Sequence, residues 1–240
     1  MKISKAEYTH VGNRTGNADS LRCEVLDNQR VYAVVADGLG SHSTGSAASQ
    51  NMVSHLSECR RCAELPKAEQ IARWIQSANA EISARRDDRT RMYSTAVLLC
   101  TVKDRAIWAH IGNSRLYHFY NGALCDYTHD YSEPRMETDE RNTKRDDYTG
   151  SSGKNIDLHA SENGELMPEI HGPVQLQQGK HAFLLCTDGF WEFLSENEIW
   201  LDLYKSRTPQ EWITYLRCRG EMRKRGNADN NSAVAVFIEV

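Results

Sequence analysis

Val31-Tyr32-Ala33-Val34-Val35-Ala36-Asp37-Gly38 is a nearly uninterrupted apolar run that ends in an acid and a glycine. A short run of this kind reads as a strand buried on both faces. Residues 21–26 form a second strand-like segment before it, and Asp27-Asn28 supplies the turn between the two. A Gly/Ser-rich loop from Asp37 to Gly45 follows, leading into helical segments over about 45–60 and 67–86. The second helix opens after Pro66 and places Ile71, Trp74, Ile75 and Ala78 on one stripe.

Further along, residues 94–127 read as a meander of four strands with turns at Lys103-Asp104, Gly112-Asn113-Ser114 and Asn121-Gly122. The stretch 132–155 is polar and reads as a flap-like surface insertion rather than a linker. A strand over 181–187 runs into Thr187-Asp188-Gly189, helices cover about 195–205 and 209–223, and a last strand spans Ala233 to Glu239. Pro209 fits the first turn of its helix. Strands at both ends with helices between them predict one α+β domain over residues 1–240, mostly antiparallel.

The chain of 240 residues is 40% hydrophobic and 26% charged, with a formal charge of −4. Its length allows a substantial core. The negative balance argues against broad binding to nucleic acid or an anionic membrane. No apolar window is long enough to span a bilayer, and the N-terminus Met1-Lys2-Ile3-Ser4-Lys5 does not read as a signal peptide. Seven cysteines, several inside strand-like runs (Cys100, Cys186), suit reduced thiols and a cytoplasmic location. Cys59-x-x-Cys62 lacks the second pair or βαβ context that zinc or redox chemistry calls for.

Three places share one local grammar: an apolar strand beside an aspartate, with glycine or asparagine next to it. They are Ala36-Asp37-Gly38, Thr187-Asp188-Gly189, and Asp229-Asn230 just before Ala233-Val234-Ala235-Val236. One such aspartate is usually a turn former, capping nearby N–H groups. Three bordering strands that could lie side by side offer the oxygen ligands that Mg²⁺ and Mn²⁺ take. The spacing alone supports an acidic metal site and nothing more specific.

The ordered set of motifs resembles the PP2C-type (PPM) serine/threonine phosphatases, in their small bacterial form. Arg14-Thr15-Gly16-Asn17-Ala18-Asp19, Asp37-Gly38-Leu39-Gly40-Ser41-His42 and Gly45-Ser46-Ala47-Ala48-Ser49 are similar to the opening blocks. Ser94-Thr95-Ala96, Gly112-Asn113-Ser114-Arg115-Leu116-Tyr117 and Thr128-His129-Asp130-Tyr131-Ser132 resemble the middle ones. Thr187-Asp188-Gly189-Phe190-Trp191 and Asp229-Asn230-Asn231-Ser232-Ala233-Val234 resemble the last two. The resemblance implies two stacked antiparallel sheets flanked by helices, with metal at one edge. It also implies hydrolysis of phosphoserine or phosphothreonine in proteins, with a bacterial Ser/Thr kinase or its targets as counterpart.

By the same resemblance two Mn²⁺ or Mg²⁺ ions would share a bridging water. Asp37 would bridge both ions, the Gly38 carbonyl would bind one, and Asp188 and Asp229 the other. Arg14 would hold the phosphate and His42 would protonate the leaving alkoxide. Two positions depart from the pattern. The family's Arg-x-x-x-Glu-Asp block has Ala18 where a glutamate binds the second ion, leaving Asp19 as a possible substitute. Asn113 stands where bacterial members carry an aspartate for a third, weaker ion. Ala18 keeps a second reading open, a silenced module that binds phosphoproteins or a partner. A third reading is an unrelated α+β metal-binding domain.

Overall fold

The computed structural model describes residues 1–40, 42–85, 92–129, 167–224, 226 and 228–240, with the His42 side chain outside that set. The flap reading at 132–155 lies outside the described residues. The strands are β1 Lys2–His10, β2 Asp19–Leu26, β3 Arg30–Gly40, β4 Met92–Ser94, β5 Ala96–Val102, β6 Arg105–Ile111, β7 Arg115–Tyr120, β8 Ala123–Tyr127, β9 Glu169–Gln175, β10 Lys180–Cys186 and β11 Asn231–Glu239. The helices are α1 His42–Leu56, α2 Ala68–Ala84, α3 Asp188–Trp191, α4 Glu196–Lys205 and α5 Pro209–Arg223, with a 3₁₀ turn at Ser57–Arg61.

One sheet has the order β1-β11-β10-β7-β8, and the other β2-β3-β5-β6-β9 with β4 added beside the end of β3. All pairings are antiparallel. The period-2 geometry of β3 explains its uniform apolarity. Val31, Ala33 and Val35 face the other sheet, packing with Phe183, Leu185, Val234 and Val236. Tyr32, Val34 and Ala36 face α1 and α2, against Met52, Leu56, Ile71 and Ile75. On the far side, Leu184, Ala233 and Ala235 pack on Trp212, Ile213 and Leu216 of α5. Three apolar layers separate four layers of structure, an αββα sandwich.

Several sequence readings are corrected. The segment 94–127 is not one meander: β5 and β6 belong to one sheet, β7 and β8 to the other. The chain crosses between sheets at Gly112, which sits at φ +84°. Because β5, β6 and β7 are buried on both faces, alternation could not reveal the switch. The stretch taken as a loop from Asp37 is strand as far as Gly40, because β4 pairs with Gly38–Gly40 and satisfies that backbone. α1 accordingly begins at His42 rather than near 45. β1 and β9 escaped notice: β1 is solvated along most of its length, and β9 is an edge strand holding a Gly172-Pro173 pair. The hairpin turns hold, with Asp27 and Asn28 at φ +46° and +56° as a type I′ turn requires. Among the described residues no helix is long and apolar enough to cross a membrane.

Candidate active site

The strand register sets the arrangement of acids. Asp19 opens β2 directly opposite Asp37 near the end of β3. Asp188 is the first residue of α3, just past β10, and Asp229 precedes β11, which lies beside β10. Four carboxylates from three parts of the sequence thus meet at one end of the sandwich. Burial and neighbouring charge both act on the two acids at the β2–β3 end. Burial lifts the Asp37 carboxyl well above the ordinary carboxylate range, and the charges of Asp19, Asp188 and Asp229 push the same way. Asp19 is raised to about 7 by burial, with hydrogen bonds from Ser232 and Thr187 opposing and the charges of Asp188 and Asp229 adding.

Arg14 is the cation facing this cluster. Its Nε and Nη2 donate to the two oxygens of Asp229 at 2.9 and 2.8 Å, a forked pair. This pairing, reinforced by the charges of Asp37 and Asp188, holds its guanidinium more firmly protonated than usual. Its Nη1 makes no hydrogen bond among the described residues, and the side chain is 47% exposed. Asn113 donates from Nδ2 to Asp188 Oδ2 at 2.9 Å. Its Oδ1 is buried without a hydrogen-bond partner, as is Oδ1 of Asp19.

The loop that carries Arg14 is fastened from across the sheet. Asn230 donates from Nδ2 to the carbonyls of Val11 (2.7 Å) and Gly16 (3.0 Å), and its Oδ1 accepts from the Ala18 N–H at 2.8 Å. Gly12 lies so close to the Asp229 carbonyl that a Cβ there would come within 2.3 Å of it. Thr187 donates to Asp19 Oδ2 at 3.0 Å while its Oγ accepts from the Ser232 N–H. Thr95 accepts from the Asp37 N–H at 3.1 Å and pairs with the Ser114 hydroxyl at 2.7 Å. Sequence reasoning missed Asn230, Thr187 and Thr95 as organising residues. For Thr187 and Asn230 the available signal was a polar residue adjoining a candidate acid; Thr95, 58 residues from Asp37, had no such signal.

Gly38 and Gly45 touch backbone to backbone: a Cβ on Gly38 would meet the Gly45 carbonyl at 1.9 Å. A Cβ on Gly45 would in turn lie 2.6 Å from the Gly38 oxygen and 3.2 Å from the Ala18 Cβ. Residue 18 therefore stands beside the Gly38 carbonyl, on the side of the cluster where its short methyl leaves no acid. Of the sequence candidates, Asp19, Asp37, Gly38, Asp188, Asp229, Asn113 and Arg14 are brought together. His42 begins α1 two residues after Gly40, with its side chain outside the described residues.

These donors fit hard divalent cations. Several oxygens converge, two of them buried without a hydrogen-bond partner, and four clustered acids face one arginine. Comparison with known proteins identifies the family. The protein phosphatase 2C family model matches residues 7–218. The serine/threonine phosphatase stp of Listeria monocytogenes serotype 4b is 32% identical over 196 residues, covering 78% of this chain and 77% of that protein. The structure of PppA, described as a key regulatory component of T6SS in Pseudomonas aeruginosa, superposes with a TM-score of 0.73 at 26% identity, covering 98% of this chain and 97% of that one. The catalytic domain of the serine/threonine phosphatase PstP, solved with two manganese ions, gives a TM-score of 0.65 at 19% identity over 98% of this chain and 97% of its own.

Proposed function

The chain belongs to the protein phosphatase 2C family and is a protein serine/threonine phosphatase, and we propose that the acidic cluster around Asp37 is its reaction centre. The observation that carries this is the gathering of Asp19, Asp37, Asp188 and Asp229 at one end of the sandwich, close enough to act on one another's charge, with Arg14 paired to Asp229 among them. The family is metal-dependent, and in this chain Asp37 and the Gly38 carbonyl would hold one divalent ion while Asp37, Asp188 and Asp229 hold a second. Oxygen-only donors favour Mn²⁺ or Mg²⁺. When bound, such ions acidify water at neutral pH and neutralise charge on the phosphoryl oxygens.

The protein's own residues supply the rest. Arg14 keeps one edge of its guanidinium on Asp229, and the Nη1 edge is open to phosphate oxygens. The Asn230 clamp fixes the loop beneath it. Asn113 orients Asp188 through its amide, and Thr187 orients Asp19. His42 stands at the start of α1, where it would protonate the departing serine or threonine oxygen. Hydrolysis by water needs no covalent enzyme intermediate, so the seven free cysteines play no nucleophilic part. Those free thiols accord with a reducing cytoplasm. The substrates would be phosphoproteins made by a Ser/Thr kinase that this enzyme opposes. Nothing in the geometry or the relatives favours a silenced binding module.

Ala18 would leave one ion more weakly held, because the place beside the Gly38 carbonyl lacks an acid. The test is Mn²⁺-dependent hydrolysis of a phosphothreonine peptide by the parent, Ala18→Glu and Asp188→Asn. Ala18→Glu is expected to lower the half-saturating Mn²⁺ by about tenfold or more, the scale on which single changes at a metal site act. Asp188→Asn is expected to abolish turnover with the fold intact. Full activity in Asp188→Asn would refute the metal assignment.

A further inference from the structure

A second cluster of ligating side chains lies away from the acidic centre, at the open edge of the sandwich. β8 is the edge strand of one sheet and β9 the edge of the other. His110 on β6 pairs directly with Glu169 on β9, and Trp108 with His171. Two-residue alternation therefore turns His110, Glu169 and His171 to the same side as Trp108, toward the space between the sheets. Their ligating atoms all lie within 4.8 Å of one another. His110 Nε2 is 3.9 Å from Glu169 Oε2, and His171 Nε2 is 3.1 Å from Glu169 Oε1.

That 3.1 Å approach is not a hydrogen bond. His171 Nε2 is buried and has no hydrogen-bond partner, its N–H direction missing the carboxylate. The His171 ring is also held in place, stacked on Trp108 at 5.9 Å with an 8° interplanar angle. Its Nδ1 lies 3.6 Å from Asp126 Oδ2 of β8, an ion-pair distance that would have to shorten to form the hydrogen bond that orients metal-bound imidazoles. His110 is buried and its Nε2–H donates to the His129 carbonyl at 3.0 Å, so an ion on that nitrogen would displace the proton and this hydrogen bond.

We propose that His110, Glu169 and His171 form a binding site for a zinc-class transition ion, distinct from the oxygen-only centre of catalysis. Two imidazoles and a carboxylate are borderline donors that suit Zn²⁺, Co²⁺ or Ni²⁺ far better than Mg²⁺. Ligands about 2.0–2.2 Å from a tetrahedral ion sit roughly 3.4 Å apart; the His171–Glu169 pair at 3.1 Å would open slightly and the His110–Glu169 pair at 3.9 Å would close. Water or the His129 carbonyl would complete the shell. The ion would clasp β9 to β6 and, through Asp126, to β8 of the other sheet. It would thereby fix the two chain positions, 129 and 169, that flank residues 130–166.

The experiment uses the full chain stripped with EDTA and returned to excess Mg²⁺, which occupies the oxygen site. Zn²⁺ is titrated by calorimetry and Co²⁺ by visible absorption. The parent and Asp188→Asn are each expected to bind one Zn²⁺ and to give the strong absorption of tetrahedral Co²⁺. His171→Gln and Glu169→Gln are expected to bind Zn²⁺ at least about tenfold more weakly. Imidazole ¹⁵N resonances of the parent supply a readout that needs no variant: Zn²⁺ should shift those of two histidines. Zn²⁺ uptake unchanged in both variants, uptake lost in Asp188→Asn, or no imidazole shift in the parent would overturn the proposal and leave the cluster an ordinary ion-pair network.

Discussion

Replacing Asp19 by asparagine separates the electrostatic load of the acidic cluster from its shape. The Asp19 carboxyl, at about 7, stands above its ordinary 3.8 chiefly because it is buried, with the charges of Asp188 and Asp229 adding to the effect. A raised folded-state value means that the folded protein holds a proton the unfolded chain has already lost between about pH 4 and 7. The associated stability is complete below about pH 4 and is lost as pH rises through about 7. At about 1.4 kcal/mol per pH unit, the loss reaches about 4 kcal/mol by pH 8 in metal-free protein. Asparagine has the same shape and never ionises. Its oxygen can accept from Thr187, as Oδ2 does now, and its amide can donate toward Asp37. In EDTA at pH 8, Asp19→Asn should therefore be more stable than the parent by up to about 4 kcal/mol, with the gain vanishing near pH 4. In Mn²⁺ the parent should gain more than the variant, because the cation relieves the repulsion that the amide has already removed. Urea unfolding at the two pH values, with and without Mn²⁺, measures all of this. A variant no more stable than the parent at pH 8 in EDTA would refute the reasoning.

Other perturbations probe neighbouring parts of the structure. Arg14→Ala should raise KM for a phosphopeptide with a smaller change in kcat, since its open guanidinium edge serves binding; steady-state kinetics with unchanged kcat/KM would remove it from the site. Asn230→Ala removes three hydrogen bonds that fasten the Arg14 loop and should cost about 2–4 kcal/mol. It should also raise KM, and denaturant unfolding alongside kinetics checks both effects. Burial, with His181 beside it, lowers the His118 imidazole to about 4. Its Nε2–H donates to His181 Nδ1 at 3.0 Å, because His181 Nε2 is engaged with the Gln177 carbonyl. A depressed histidine carries stability at neutral pH that drains as pH falls from about 6.5 toward 4, here about 3 kcal/mol. His118→Gln should flatten that part of the stability–pH curve.

Apolar alternation and turn signals led to a mostly antiparallel α+β domain, because they report which faces of a strand or helix are covered; the two-sheet αββα arrangement came from the resemblance of the ordered motifs. The same local pattern located Asp37 and Asp188, each at the end of an apolar run, and Asp229, just before one. The helical segments at 67–86, 195–205 and 209–223 were legible for the same reason, as a stripe or a Pro at the first turn. Alternation says nothing about which strand lies beside which. The switch of sheets at Gly112–Ser114, the placement of Asp19 opposite Asp37 and the pairing of His110 with Glu169 all depend on register between segments far apart in the chain. So do the fork of Arg14 on Asp229 and the hold of Asn230 on the Arg14 loop, each joining residues more than 200 positions apart. The sequence alone determined which residues could carry charge and which surfaces had to be buried. Tertiary structure decided which charges face one another, because strand pairing is a long-range choice that no local period encodes.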